Sequence, residues 1–199
     1  IRRPAVTKRN ELVAMRKNGG GKMHVSVALD RSIELLAPAI LNSENPILVD
    51  ATLGLGGHSY ALLERFPKLK IIGIDRDKSA IEMAKERLAT FGDRIQIAHS
   101  VFDQISEVVK SFGYQKIDGA LFDLGVSSMQ IDQQNRGFSY SQDAPLDMRM
   151  DQSQKLTADE IINTWEPTEL IKILRTFGEE KFAPRIVDAI LENRPINST

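Results

Sequence analysis

The feature that most constrains the fold is a pair of buried-type strands joined by a glycine-rich turn and a helix. Ile47-Leu48-Val49 reads as a short strand, and Val49-Asp50-Ala51-Thr52-Leu53-Gly54-Leu55-Gly56-Gly57-His58-Ser59 carries three glycines within four residues. Leu62, Leu63 and Phe66 then fall on one side of a helix over Ser59 to Phe66, closed by Pro67. Lys70 to Asp75 is a second strand, and Asp77 is placed to cap a helix running through Leu88 and stopping before Gly92. This is a complete βαβ unit.

The alternation continues with a strand over Arg94 to Ala98, a helix over 103 to 112 and a strand over Ile117 to Asp123. A short helix over 30 to 42, with Asp30 as its N-cap, precedes the first strand. Strands and helices at this spacing predict an α/β fold: a doubly wound parallel sheet with helices on both faces. After Asp123 the alternation stops, and residues 125 to 155 read as a long polar loop. Three helices follow. Thr157-Ala158-Asp159-Glu160 spells a capping box, Pro167 opens a helix through Phe177 that Gly178 ends, and Pro184 opens another. The expected organisation is a basic arm or upstream extension over 1–23, a sheet domain with its loop over 24–150, a helical subdomain over 151–195 and a tail over 196–199. The apolar fourth strand would be an open edge unless something pairs beside it. That leads to the expectation that the chain is the front part of a longer domain.

Composition removes several classes of function. The 199 residues hold no cysteine, which excludes disulfides, thiolate zinc sites and cysteine nucleophiles. The longest apolar runs are too short to cross a bilayer, so no membrane role is expected and a cytoplasmic setting is the default. The net charge of -1 conceals an arm with Arg2, Arg3, Lys8, Arg9, Arg16, Lys17 and Lys22 against the single acid Glu11. Such an arm could contact nucleic-acid phosphates, or simply precede the domain.

In an open α/β sheet, ligands bind beyond the carboxyl ends of the strands, where the first βα turn aims backbone amides at them. Gly54 to Ser59 occupies that turn, and Asp75 lies 19 residues after Gly56, placed to accept hydrogen bonds from ribose hydroxyls. Ser59 stands where a dinucleotide fingerprint needs its third glycine, which weakens an NAD reading without abolishing it. Asp50 could hold the turn or meet a ligand amine. His58, at a helix start, could meet a ligand carboxylate or cap the helix. His24 and His99 have no partners at metal-ligand spacing, so no metal site is expected. Asp123, at the end of the fourth strand, faces the same crevice and suits general-base or acceptor work toward an amine. Ser127, Ser128 and Gln130 can add polar contacts. Neither serine is a hydrolase nucleophile, since the G-x-S-x-G elbow is missing and no histidine follows His99. Phe138, Met148 and Met150 could line an adenine pocket or pack locally.

Several segments together carry a resemblance: "HVSVALDRSIELL" at 24–36, "VDATLGLGGHS" at 49–59, "GIDRDKSAI" at 73–81, "DGALFDLGVSSMQID" at 118–132, "RGFSY" at 136–140, "PLDMRMD" at 145–151 and "FGEEKFAPRI" at 177–186. In this order they closely resemble the ribosomal RNA small subunit methyltransferase H family, also called MraW. The resemblance implies a class I methyltransferase Rossmann-like sheet with a helical insertion. It also implies S-adenosylmethionine as cofactor and N4 of a cytidine in the decoding region of 16S rRNA, in the small ribosomal subunit, as target. Gly54, Gly56, Gly57 and His58 would then serve the methionine end, Asp75 the ribose and Phe102 the adenine, with Asp123 and Gln130 completing the pocket. The roles of Phe102, His58 and Gln130 come from the resemblance alone. Leu55, Met129 and Ala144 depart from the family pattern at positions that are not proposed ligands. Family members continue into further strands, so a cofactor-binding fragment without independent catalysis is the alternative, ahead of an NAD-dependent oxidoreductase. Arg136, Arg149, Lys172, Arg175, Lys181 and Arg185 are candidate RNA contacts.

Overall fold

The computed structural model describes residues 26–199, in which β1 (Ile47–Asp50), β2 (Lys70–Asp75), β3 (Ile95–His99) and β4 (Gly119–Leu121) form one parallel sheet in the order β3-β2-β1-β4. The basic arm and His24 lie outside the described residues. Val49 is level with Ile72 on one side and Ala120 on the other. Because side chains alternate along a strand, Leu48 and Ile71 face one way and Val49, Ile72 and Ile74 the other. The first set packs against α1 (Leu29–Leu41), α2 (Gly57–Arg65) and α3 (Lys78–Leu88) through Ile33, Ile40, Leu62, Leu63 and Leu88. The second packs against α4 (Ile105–Ser111) through Val108 and Val109. Burial on both faces explains why these strands read as unbroken apolar runs.

Several boundaries moved for identifiable reasons. Helix α1 begins at Leu29, and its N-cap is Ala28 in a left-handed conformation with no side-chain bond; Asp30 sits inside the first turn. There it still complements the helix dipole. Asp77 does cap α3, its Oδ1 accepting from the Ser79 amide at 3.0 Å. Strand β4 is shorter than the predicted Ile117 to Asp123, because the Asp123 amide leaves the ladder and donates to Thr52 Oγ1 at 2.7 Å. Among the described residues β4 pairs only with β1 and forms the sheet edge.

The polar segment after β4 is more ordered than a plain loop. It contains α5 (Ser128–Asp132), opened by a capping box in which the Ser127 hydroxyl accepts from the Gln130 amide and the Gln130 side chain accepts from the Ser127 amide. A single 3-10 turn over Gln134–Arg136 follows. The Ser-x-x-Gln spacing is a helix-start signal that stands in the sequence. Beyond it, α6 (Ala158–Thr164), α7 (Pro167–Gly178) and α8 (Ala183–Glu192) bury Leu170, Ala183 and Val187. Gly178 is the last helical residue of α7, and Glu179 takes the left-handed position after it, at φ 49°.

Gly56, the N-cap of α2, shows what close helix packing demands. Its φ is 73°, and a Cβ there would come within 2.9 Å of Leu88 Cδ1 on α3. Both the backbone conformation and the packing exclude a side chain. Gly56→Ala is therefore expected to cost about 2 kcal/mol or more in a urea melt, from left-handed strain and overpacking together. An unchanged denaturation midpoint would show that α2 and α3 do not depend on this approach.

Candidate functional site

One open cleft of about 770 Å³ lies beyond the carboxyl ends of β1, β2 and β4, within the size range of small-molecule sites. Of the residues singled out in the sequence, Gly54, Gly57, His58, Asp75, Phe102, Asp123 and Gln130 all line it. Gly56 does not, and its amide is already spent on the Leu53 carbonyl at 2.8 Å. The place of Gly56 is between α2 and α3, facing away from the cleft.

Asp75 ties two turns together at the cleft floor. Its Oδ2 accepts from the Gly54 amide at 2.7 Å and its Oδ1 from the Asp77 amide at 2.8 Å. Each carboxylate oxygen carries two lone pairs, so both can still accept from a ligand hydroxyl. Gly57 and His58 open α2, and their first-turn amides have no intrahelical acceptor and suit an anion. A Cβ on Gly57 would run into the Ser26 hydroxyl, so the backbone there is closely walled. His58 is buried, and its Nε2 lies 3.0 Å from the Val27 carbonyl. A carbonyl only accepts, so Nε2 carries the hydrogen, and in the neutral ring Nδ1 is then an acceptor. That Nδ1 stands 4.0 Å from Asp123 Oδ2, too far for a direct hydrogen bond. Two acceptors facing across this gap favour a donor group between them. Asp123 itself is 48% exposed in its side chain and open to a substrate at the cleft mouth.

Phe102 forms a wall and meets Phe122 edge to face, with ring centroids 6.0 Å apart. Leu124 and Val126 line the same cleft while remaining exposed, which gives a flat ring or base an apolar surface. Gln130 is buried, and its amide is already engaged: Oε1 accepts from Ser127 and Nε2 donates to Asp77 Oδ2 at 3.1 Å. Met150 lines the cleft, whereas Met148 and Phe138 are not among its lining residues. Among the described residues, no three His, Asp or Glu side chains converge as metal ligands, and no helix is long and apolar enough to cross a membrane.

Asp50 lies behind the turn. Its Oδ2 accepts from the Ser59 hydroxyl at 2.7 Å, and its Oδ1 has no partner among the described residues. Burial pushes its carboxyl above the usual carboxylate range, against the smaller opposing pull of Ser59. Ser59, fully buried, fills the place of a third fingerprint glycine and joins helix to strand by this bond.

Arg136 is the largest change from expectation. It is 1% exposed and pairs with Asp77 Oδ2 at 2.8 Å, so it cannot reach an RNA phosphate. Arg149 is engaged by Asp147, with Nη2 to Oδ2 at 2.6 Å and Nε to Oδ1 at 2.9 Å, and it holds the Asp147 carboxyl below its usual range. Lys172, Arg175, Lys181 and Arg185 on α7, α8 and the connection between them are exposed.

The family model described as "MraW methylase family" matches residues 21–199. A protein of Streptomyces avermitilis named ribosomal RNA small subunit methyltransferase H is 53% identical over 171 residues, covering 86% of this chain and 54% of that protein. Proteins of the same name from Mycolicibacterium smegmatis and Salinispora arenicola are 54% and 51% identical, covering 86% and 88% of this chain and 47% and 48% of theirs. The chain thus spans about half the length of these relatives. A solved structure described as an rRNA methylase from Streptococcus thermophilus overlays with a TM-score of 0.41 and 22% identity, over 52% of this chain and 58% of that one.

The raised Asp50 carboxyl gives a pH signature. A folded-state pKa above the unfolded value means that the stability from this proton is complete in acid and is lost as pH rises through the folded pKa. Asp50→Asn keeps an acceptor for Ser59 and never ionises. Its stability relative to the parent protein should therefore improve as pH rises above the ordinary carboxylate range in urea melts. A difference that stays flat over that rise would mean that Asp50 ionises normally.

Proposed function

The chain belongs to the MraW methylase family, and from that premise we propose that it binds S-adenosylmethionine in the cleft and serves methylation of small-subunit ribosomal RNA at N4 of a cytidine. The observation that carries this reading is the convergence of the Gly54 to His58 turn, Asp75, Phe102 and Asp123 on one cleft, although they come from four separate strand ends and turns. The donor set fits the cofactor. First-turn amides of α2 suit a carboxylate, the His58 Nδ1 and Asp123 pair suits an ammonium, Asp75 suits ribose hydroxyls and Phe102 suits an adenine ring. When bound, S-adenosylmethionine would supply a methyl group made electrophilic by its sulfonium.

The rest falls to the chain's own residues. An exocyclic cytosine amine is a weak nucleophile, because its lone pair is shared with the ring. Asp123, exposed at the mouth, can orient that amine by accepting one of its hydrogens and can take the proton lost on alkylation. Leu124 and Val126 offer the surface on which a base taken out of its stack can rest. The exposed Lys172, Arg175, Lys181 and Arg185 are the RNA contacts this reading retains, with Arg136 removed from that set. A cytoplasmic setting, where ribosomal subunits are found, accords with it.

A second reading keeps cofactor binding but leaves transfer to a longer protein, which the half-length match to the relatives favours. Calorimetric titration with S-adenosylmethionine and with NAD, followed by a transfer assay on small subunits, separates these readings. S-adenosylmethionine should bind and NAD should not. Asp123→Asn should weaken cofactor binding by the loss of one ammonium partner but cut turnover far more, by roughly 100-fold or more, as for loss of a proton acceptor; equal losses in both would make Asp123 a binding residue only. Binding without transfer would assign the chain the cofactor-holding part of the reaction, and binding of NAD alone would end the methyltransferase reading.

A further inference from the structure

The buried Arg136–Asp77 pair is used by no step of the proposed reaction, yet it joins segments far apart in the chain. Arg136 Nη2 reaches Asp77 Oδ2 at 2.8 Å, the Met150 carbonyl at 2.9 Å and the Arg149 carbonyl at 3.1 Å. Gln130 Nε2 donates to the same Asp77 oxygen at 3.1 Å, while Asp77 Oδ1 caps α3. One carboxylate therefore serves the helix behind the cleft floor, the short helix after β4 and the segment around Met150. Gln130 and Met150 line the cleft directly, and Ser127, fixed by the Gln130 capping box, does so as well.

The backbone around Arg136 is made for this crossing. Its carbonyl accepts from the Met148 amide at 3.0 Å, and Gly137, at φ 71°, lets the chain pass so close to the Pro145 carbonyl that a Cβ would collide with it. The "RGFS" and "PLDMRMD" stretches are thereby woven together beside the cleft, which Met150 lines.

We propose that the Arg136–Asp77 pair is a latch that fixes the segments 124–130 and 148–150 as the outer wall of the cleft, making Arg136 a positioning residue that sets ligand affinity without touching the ligand. The wall is held only weakly by hydrophobic burial, since Leu124 is 68% and Val126 45% exposed. It rests instead on charge-assisted bonds that converge on one buried carboxylate, where a low local dielectric strengthens them. The affinity part of the proposal rests on S-adenosylmethionine being the ligand of the cleft.

Removing one charge alone would leave its partner buried and unpaired, so two variants are compared: Arg136→Met, and Arg136→Met combined with Asp77→Asn. Asparagine removes the unpaired charge and keeps the helix cap through its one oxygen, although its NH2 now stands where an oxygen accepted from Gln130, so the double variant should recover part of the thermal stability lost by the single one. Amide hydrogen exchange in 124–132 and 147–151 should accelerate at least tenfold in both variants while β1, β2 and β3 stay protected. Calorimetric affinity for S-adenosylhomocysteine should fall at least tenfold in both, and a Val187→Ala control in the remote α8 should leave it unchanged. Unchanged exchange in the two segments would overturn the latch whatever the ligand. Faster exchange with affinity within twofold of the parent protein would overturn the positioning role. Failure of the parent protein to bind S-adenosylhomocysteine would overturn the cofactor reading and the affinity part with it, while exchange still decides the latch.

Discussion

Two carboxylates at the end of β2, Asp75 and Asp77, hold the molecule's working end together. Asp75 accepts backbone amides from the β1–α2 turn and from its own strand end, so the glycine turn cannot drift from β2. Asp77 turns the other way, capping α3 and receiving Arg136 and Gln130 from the segment after β4. A strand end that carried neutral residues here would leave two turns and a wall without their common anchor. The cleft follows from this arrangement, because its floor and its far wall are both referred to the same three residues of backbone.

The cost of such an anchor is desolvation. Asp77 and Arg136 are almost wholly buried, and burial of a charge is tolerable only when its bonds are made. Asp77 meets that condition through three donors, the Ser79 amide, Gln130 Nε2 and Arg136 Nη2. Arg136 meets it less completely, with Nε unpartnered among the described residues. Buried ion pairs of this kind add little net stability over an apolar substitute, but losing one partner costs about 3–5 kcal/mol. Their effect is to specify one arrangement. Asp50 represents the opposite solution, a buried carboxyl with one good partner and a raised pKa, placed behind the turn where it supports α2 through Ser59.

Much of the site was legible because the relevant signals are local. Gly54, Asp75 and Asp123 could be assigned to strand ends from spacing, and the parallel order then forces those ends to one edge of the sheet. Gly56 was legible as a glycine that had to be one, but not for what reason: the residue it avoids, Leu88, lies one helix further on. Arg136 looked like any arginine in a polar stretch, and only the docking of that stretch onto α3 shows it to be buried. The helix at Ser128 was spelled by Ser127 and Gln130, a capping box hidden by its brevity and by the absence of an apolar run after it.

What the sequence determined by itself is the alternation of strand and helix, the direction of the sheet, and the set of backbone amides and carboxylates available at its carboxyl edge. Periodicity and capping act over a few residues, so they are written in the order of the chain. What the tertiary structure decided is which charges face solvent and which are buried: Arg136 withdrawn to Asp77, Lys172 and its neighbours left outside. The Arg136 outcome depends on a pairing across 59 positions and on the dielectric of the place where the two side chains meet, neither of which is carried by a residue's neighbours in the chain.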